Sequence, residues 1–84
     1  MNLIKWKKKA AKQLSKINFA NQDAIVDGVD ELEAMPNCKN VISLTNHEYQ
    51  YRLRVGNYRV FFNFDGVIHI VFIEEVKKRD ERTY

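Results

Sequence analysis

The spacing of apolar residues changes once along this chain, and that change constrains the fold more than any other feature. Between Ala10 and Met35 they recur every three or four positions, whereas from Tyr49 to Phe64 they recur at every second one. A helical stripe and a one-sided strand each need a partner layer to bury against, so the pattern predicts helices packed on a sheet. At 84 residues there is chain for one core only, which makes residues 1–84 a single domain. An apolar fraction of 45% is ordinary for a folded domain and argues against disorder.

Local signals divide the chain further. Asn2 to Trp6 reads as a short strand, and from Lys7 the residues Ala10, Leu14 and Ile17 form one helical stripe with lysine opposite. Asn18 to Ala20 breaks the pattern. Asn21 is placed to cap a second helix in which Ile25, Val29, Leu32 and Met35 share a face, with Asp27, Asp30, Glu31 and Glu33 mostly outside it. Pro36 ends that helix. The two predict an antiparallel helical hairpin, and Cys38 to Glu48 links it to the second half, with Val41, Ile42 and Leu44 either packing locally or forming a short strand. Tyr49 to Val55 and Tyr58 to Phe64 then alternate around Gly56-Asn57, which tolerate the positive φ of a tight hairpin turn. Asp65-Gly66 signals a second two-residue turn. Val67 to Val76 is apolar on both faces over most of its length and belongs inside the sheet or beneath a cover. The predicted class is α+β, a helical hairpin on an antiparallel sheet in the order β-α-α-β-β-β, with a short C-terminal segment.

A two-residue loop at Gly56-Asn57 sets Val55 opposite Tyr58, Arg54 opposite Arg59, Arg52 opposite Phe61 and Gln50 opposite Asn63. Tyr49, Tyr51, Leu53, Val55, Tyr58, Val60, Phe62 and Phe64 then share a core face, and Gln50, Arg52, Arg54, Arg59, Phe61 and Asn63 the other. Like charges directly opposite on a ladder repel by about 0.2–1 kcal/mol, and no acid occurs between Tyr49 and Asn63 to relieve Arg54 and Arg59. Three arginines beside an aromatic residue suit an anion, because the guanidinium offers phosphate a planar pair of donors. Lys77, Lys78 and Arg79 follow directly from the third strand, so Lys78 or Arg79 is expected to enter the same groove, with Arg82 and Tyr84 close behind. In the Asp65-Gly66 register His69 falls opposite Phe62, on the core face. His47 lies in the linker without a visible partner, and Glu74 and Glu75 are expected to pair with lysines.

Charge is arranged in blocks. Residues 1–17 carry six lysines and no acid, 18–48 one lysine and six acids, 49–62 three arginines and no acid, 63–76 three acids and no base, and 77–84 four bases and two acids. The net charge of +3 is modest, yet separated blocks create local fields that attract a polyanion. Two histidines and one cysteine without ligand spacing make a metal site improbable. There is no Ser/His/Asp set, phosphate-binding glycine loop or nucleotide fingerprint, so no cofactor is expected. The lone Cys38 suits a reducing cytosol, and no apolar run is long enough for a membrane span or a signal peptide. The chain is expected to be cytoplasmic.

The run Tyr51-Arg52-Leu53-Arg54-Val55-Gly56-Asn57-Tyr58-Arg59-Val60, an apolar hairpin, and then Lys78-Arg79-Asp80-Glu81-Arg82-Thr83-Tyr84 resembles the C-terminal half of RelE/ParE superfamily toxins. Ala11-Lys12-Gln13-Leu14 and the second helix extend the resemblance over nearly the whole chain. It implies a helical hairpin on a twisted antiparallel sheet and a toxin of a type II toxin-antitoxin module with a cognate antitoxin. RelE-like members cut mRNA in the ribosomal A site without a metal, and ParE-like members poison gyrase. In the RelE branch, strand residues hold the phosphate and a basic residue and a tyrosine near the C-terminus complete the site. Carried over, the catalytic set is Arg52, Arg54, Arg59, Lys78 or Arg79, and Tyr84, with Gln50, Phe61, Lys77 and Arg82 contacting RNA. Gln50 stands where the RelE type has a lysine, and the chain stops at Tyr84 where many relatives continue. The expected activity is a ribosome-dependent, metal-independent mRNA endoribonuclease; the alternatives are a gyrase inhibitor without nuclease activity and a non-toxic nucleic-acid-binding module.

Overall fold

The computed structural model of the protein describes residues 1–79. Its elements are β1 (Leu3–Trp6), α1 (Lys8–Ser15), α2 (Phe19–Asp30), a 3₁₀ turn (Glu31–Ala34), β2 (Val41–Ser43), β3 (Tyr51–Val55), β4 (Tyr58–Asp65) and β5 (Ile70–Lys78). The five strands form one sheet in the order β1-β5-β4-β3-β2. Neighbours run antiparallel except β1, which lies parallel to β5 with Ile4 beside Val71. The expected α+β order is met, and Val41–Ser43 is a true strand at one edge of the sheet.

The helices cover one face. Ala10, Ile25, Val29 and Leu32 are fully buried against Val60, Phe62, Val71 and Ile73. Gly28 sets how closely α2 can approach β3, since a Cβ at this position would meet Val55 Cγ2 at 2.8 Å. The cap of α2 is Asn18 and not Asn21: its backbone is extended and its Oδ1 accepts from the Asn21 amide at 3.0 Å, so Asn21 is the donor three residues into the cap and not its acceptor.

Two side chains close backbone gaps between the layers. Asn2 is 6% exposed, and its Nδ2 donates to the carbonyls of Glu33 (3.1 Å) and Met35 (3.0 Å), which end the 3₁₀ turn. Pairing of β1 with β5 stops at Trp6 and Ile73, and further along the same strand the Val76 amide donates instead to Gln13 Oε1 of α1 at 2.7 Å.

The second hairpin differs from its sequence signal. Asp65 pairs with Ile70, so the loop holds four residues, 66–69, and not two. Asp65 Oδ1 accepts from the amides of Val67 (2.9 Å) and Ile68 (3.2 Å), a side-chain-closed turn that competes with the tight one. His69 is therefore an exposed loop residue with φ of 58° rather than a core-face residue, and Ile73 takes the place opposite Phe62. At Gly56-Asn57 the tight turn forms as expected, with Gly56 at φ of 54°.

Candidate functional site

Among the described residues no helix covers the outer face of the sheet, and its residues are set by two registers. Across β3 and β4, Arg54 faces Arg59 and Arg52 faces Phe61, as the turn predicts. Across β4 and β5 a bulge intervenes: Phe62 pairs with Ile73 but Phe61 pairs with Glu75, so β5 holds one extra residue. A single inserted residue reverses the inside-outside alternation beyond it. It turns Val76 into the core opposite Val60 and puts Glu75 and Lys77 on the outer face opposite Phe61 and Arg59.

Arg79 continues that outer alternation, with its amide donating to the Asn57 carbonyl at 2.6 Å beside the first turn. Arg52, Arg54, Arg59 and Arg79, with Gly56 and Tyr58, line one cavity of about 90 Å³. No acid is among these lining residues. Arg52 Nε is buried and lacks a hydrogen-bond partner among the described residues, an arrangement that costs about 1–3 kcal/mol unless a ligand supplies an acceptor. The cavity is thus matched to a small oxyanion such as a phosphodiester.

The remaining expected site residues divide. Lys78 sits opposite Tyr58, whose side of the sheet packs on the core, and it does not line the cavity. Lys77 is on the outer face, but its Nζ lies 3.4 Å from Glu75 Oε1. Gln50 is tied to β4: its amide donates to Asn63 Oδ1 and its Oε1 accepts from the Phe64 amide, each at 2.8 Å. Arg82 and Tyr84 lie outside the described residues.

Sequence reasoning missed the centre of this face. Tyr49, expected in the core, lies on the outer side with its ring 5.8 Å from that of Phe61, because ladder pairing of β3 begins only at Tyr51 and the alternation does not extend back to Tyr49. His47 has a partner after all, stacking on Phe61 at 5.1 Å with 12° between the rings. Beside them Glu75, 7% exposed, meets Lys9 at 3.5 Å and Lys77 at 3.4 Å, as its expected lysine pairing required. Burial alone would raise the Glu75 carboxyl, but Lys77, Lys9 and a hydrogen bond from Tyr49 outweigh it and hold it below its ordinary value. The Tyr49 hydroxyl is pushed up to about 12, first by burial and then by the adjacent Glu75 carboxylate. At neutral pH this pair is a fixed donor and a fixed acceptor. The only sequence signal for it was the aromatic Tyr49 beside an otherwise unpartnered histidine.

Residues 4–82 match the family described as ParE toxin of type II toxin-antitoxin system, parDE. No match is found among curated protein sequences. Among solved structures, the archaeal RelE-RelB complex from Pyrococcus horikoshii OT3 is 26% identical, with 95% of this chain and 97% of that chain covered and a TM-score of 0.80. The isolated E. coli RelE toxin is 16% identical, covering 96% and 87% with a TM-score of 0.81. The RelB-RelE antitoxin-toxin complex from Methanococcus jannaschii is 18% identical, covering 88% of each chain with a TM-score of 0.71. At those identities the last two speak for the fold alone. With the family matched from β1 through the whole sheet, the chain belongs to the ParE toxins of type II toxin-antitoxin systems, within the RelE/ParE superfamily.

Proposed function

We propose that this toxin is an endoribonuclease that cuts mRNA on the ribosome without a metal ion and is held inactive by a cognate antitoxin. The observation that carries the reading is the convergence of Arg52, Arg54, Arg59 and Arg79 on one cavity. The nucleophile is the RNA's own 2′-hydroxyl, which attacks the adjacent phosphorus and expels the 5′-oxygen of the next nucleotide, leaving a 2′,3′-cyclic phosphate. Fixed guanidiniums stabilise the charge gathering on the phosphoryl oxygens, and losing one such donor typically costs about 10²–10³ in rate. A cavity lined by four guanidiniums repels a divalent cation, so charge stabilisation falls to the arginines. Glu75, ionised and held by Lys9, Lys77 and Tyr49, is a poor base, and Lys78 is turned away. Proton removal from the 2′-hydroxyl is left to Tyr84 or to a ribosomal group.

An open groove on a small domain does not by itself align flexible RNA for in-line attack, which is worth up to about 7–11 kcal/mol of barrier. The ribosome supplies that alignment. The second reading, inhibition of DNA gyrase without RNA cleavage, is favoured by the match to the ParE family. Purified toxin incubated with one mRNA, with and without translating ribosomes, separates the two. The endoribonuclease reading requires cutting with ribosomes only, with free RNA intact in EDTA. No cutting together with blocked DNA supercoiling would assign the toxin to gyrase. Co-expression with the adjacent reading frame should restore growth and yield a co-purifying complex.

A further inference from the structure

The middle of the outer face is aromatic. Phe61, the cross-strand partner of Arg52, is 7% exposed although no helix among the described residues covers this side. His47 and Tyr49 shield it: the His47 ring lies nearly parallel to that of Phe61, and Tyr49 closes the trio at 5.8 Å from each. The Tyr49 amide donates to His47 Nδ1 at 3.1 Å, which fixes the tilt of the imidazole. His47 is itself exposed. One ring face is therefore backed by Phe61 while the imidazole remains open to solvent.

Charge changes sign along the same face. The arginine cavity reaches Arg52, one strand from Phe61, whereas Glu48, Asp65 and Glu74 line a separate depression with Gln50 and Asn63. Arg52 and Phe61 are directly opposed on the ladder, with Cα atoms about 4.5–5.5 Å apart, so the aromatic cluster is the cavity's neighbour on the next strand. A phosphate held by the arginines is repelled from the acidic end, which leaves the aromatic side of Arg52 as the direction open to its base. We propose that His47, backed by Phe61, is the stacking platform for the nucleobase whose phosphate occupies the Arg52-Arg54-Arg59-Arg79 cavity. The proposal rests on the RNA-directed reading above. Because every base has a π face, such a platform orders the nucleotide without selecting its sequence.

The test uses a 2′-O-methyl RNA trinucleotide, which cannot undergo 2′-hydroxyl attack, carrying 2-aminopurine at its centre, and the same trinucleotide with an abasic centre. Stacking quenches 2-aminopurine. The purified chain is expected to quench the probe, His47→Ala to lose most of the quenching and bind about tenfold more weakly, and His47→Phe to retain both. The abasic trinucleotide, followed by competition, should bind the parent and His47→Ala equally. Unchanged thermal melting of both variants excludes misfolding. If His47→Ala quenches and binds as the parent does while Arg59→Ala loses binding, the platform is overturned and the phosphate site stands. If neither substitution alters binding, the RNA-directed reading falls with it.

Discussion

Arg54 and Arg59 are direct cross-strand partners on the outer face, two guanidiniums set opposite each other beside a tight turn. Like charges directly opposed on a ladder repel by about 0.2–1 kcal/mol, and both of these line the cavity. Arg59→Ala is therefore expected to abolish growth inhibition on expression while changing stability by no more than about 0.5 kcal/mol. Plating of induced cells and urea denaturation of the purified variant check the two halves. Full toxicity would remove Arg59 from the site, and a loss above about 2 kcal/mol would make it structural.

A Cβ added at Gly28 of α2 would meet Val55 Cγ2 on β3 at 2.8 Å. Gly28→Ala should destabilise by about 1–3 kcal/mol, because overpacking outweighs the gain in helix propensity of up to about 1 kcal/mol. Val55→Ala removes the clashing Cγ2, so in the double variant part of the Gly28→Ala cost should return as a favourable coupling energy. Additive losses in a denaturation cycle would show that the helix shifts instead of clashing.

Asn2 is the buried link between the start of the chain and the end of the 3₁₀ turn. Asn2→Ala leaves the buried Met35 carbonyl short of a donor, while the Glu33 carbonyl keeps the Asn2 backbone amide, and is expected to cost about 1–3 kcal/mol. Urea midpoints compared at constant slope measure it. Toxicity at permissive temperature should persist, since Asn2 does not line the arginine cavity and its side chain bonds to the end of the 3₁₀ turn.

Tyr49 and Glu75 titrate in opposite senses. An acid that holds its proton more tightly when folded contributes fully below its unfolded value, about 10 for tyrosine, and loses that contribution as pH rises through the folded value of about 12. Glu75, lowered on folding, contributes above its unfolded value of about 4.3 and loses the contribution as pH falls through its lower folded value. Melting temperatures across pH should show a shallower alkaline decline for Tyr49→Phe and a shallower acid decline for Glu75→Gln. An alkaline limb unchanged in Tyr49→Phe would mean that the hydroxyl is not held by Glu75.

Much of this protein is written in local signals. The helical stripe through Ile25, Val29 and Leu32 and the alternation through Leu53, Val60 and Phe62 each reach zero or near-zero exposure, because periodicity of 3.6 or 2 is a property of the chain itself. The Gly56-Asn57 turn likewise fixes the register that opposes Arg54 to Arg59, since a hairpin's pairing follows from its loop. What local spacing could not decide lies where distant segments compete for the same backbone groups. The parallel seating of β1 on β5, the four-residue loop closed by Asp65, and the folding of His47 and Tyr49 over Phe61 all depend on long-range partners. The bulge on β5 matters most. Strict alternation would have turned Glu75 into the apolar core, away from Lys77 and Tyr49, and Val76 outward, and an unpaired carboxylate in the core and an exposed apolar side chain are each unfavourable. One extra residue resolves the conflict, carrying Val76 into the core and Glu75, Lys77 and Arg79 to the face where the other arginines wait. The sequence alone determined which residues could form the site; the packing of β5 against β4 decided which of them meet.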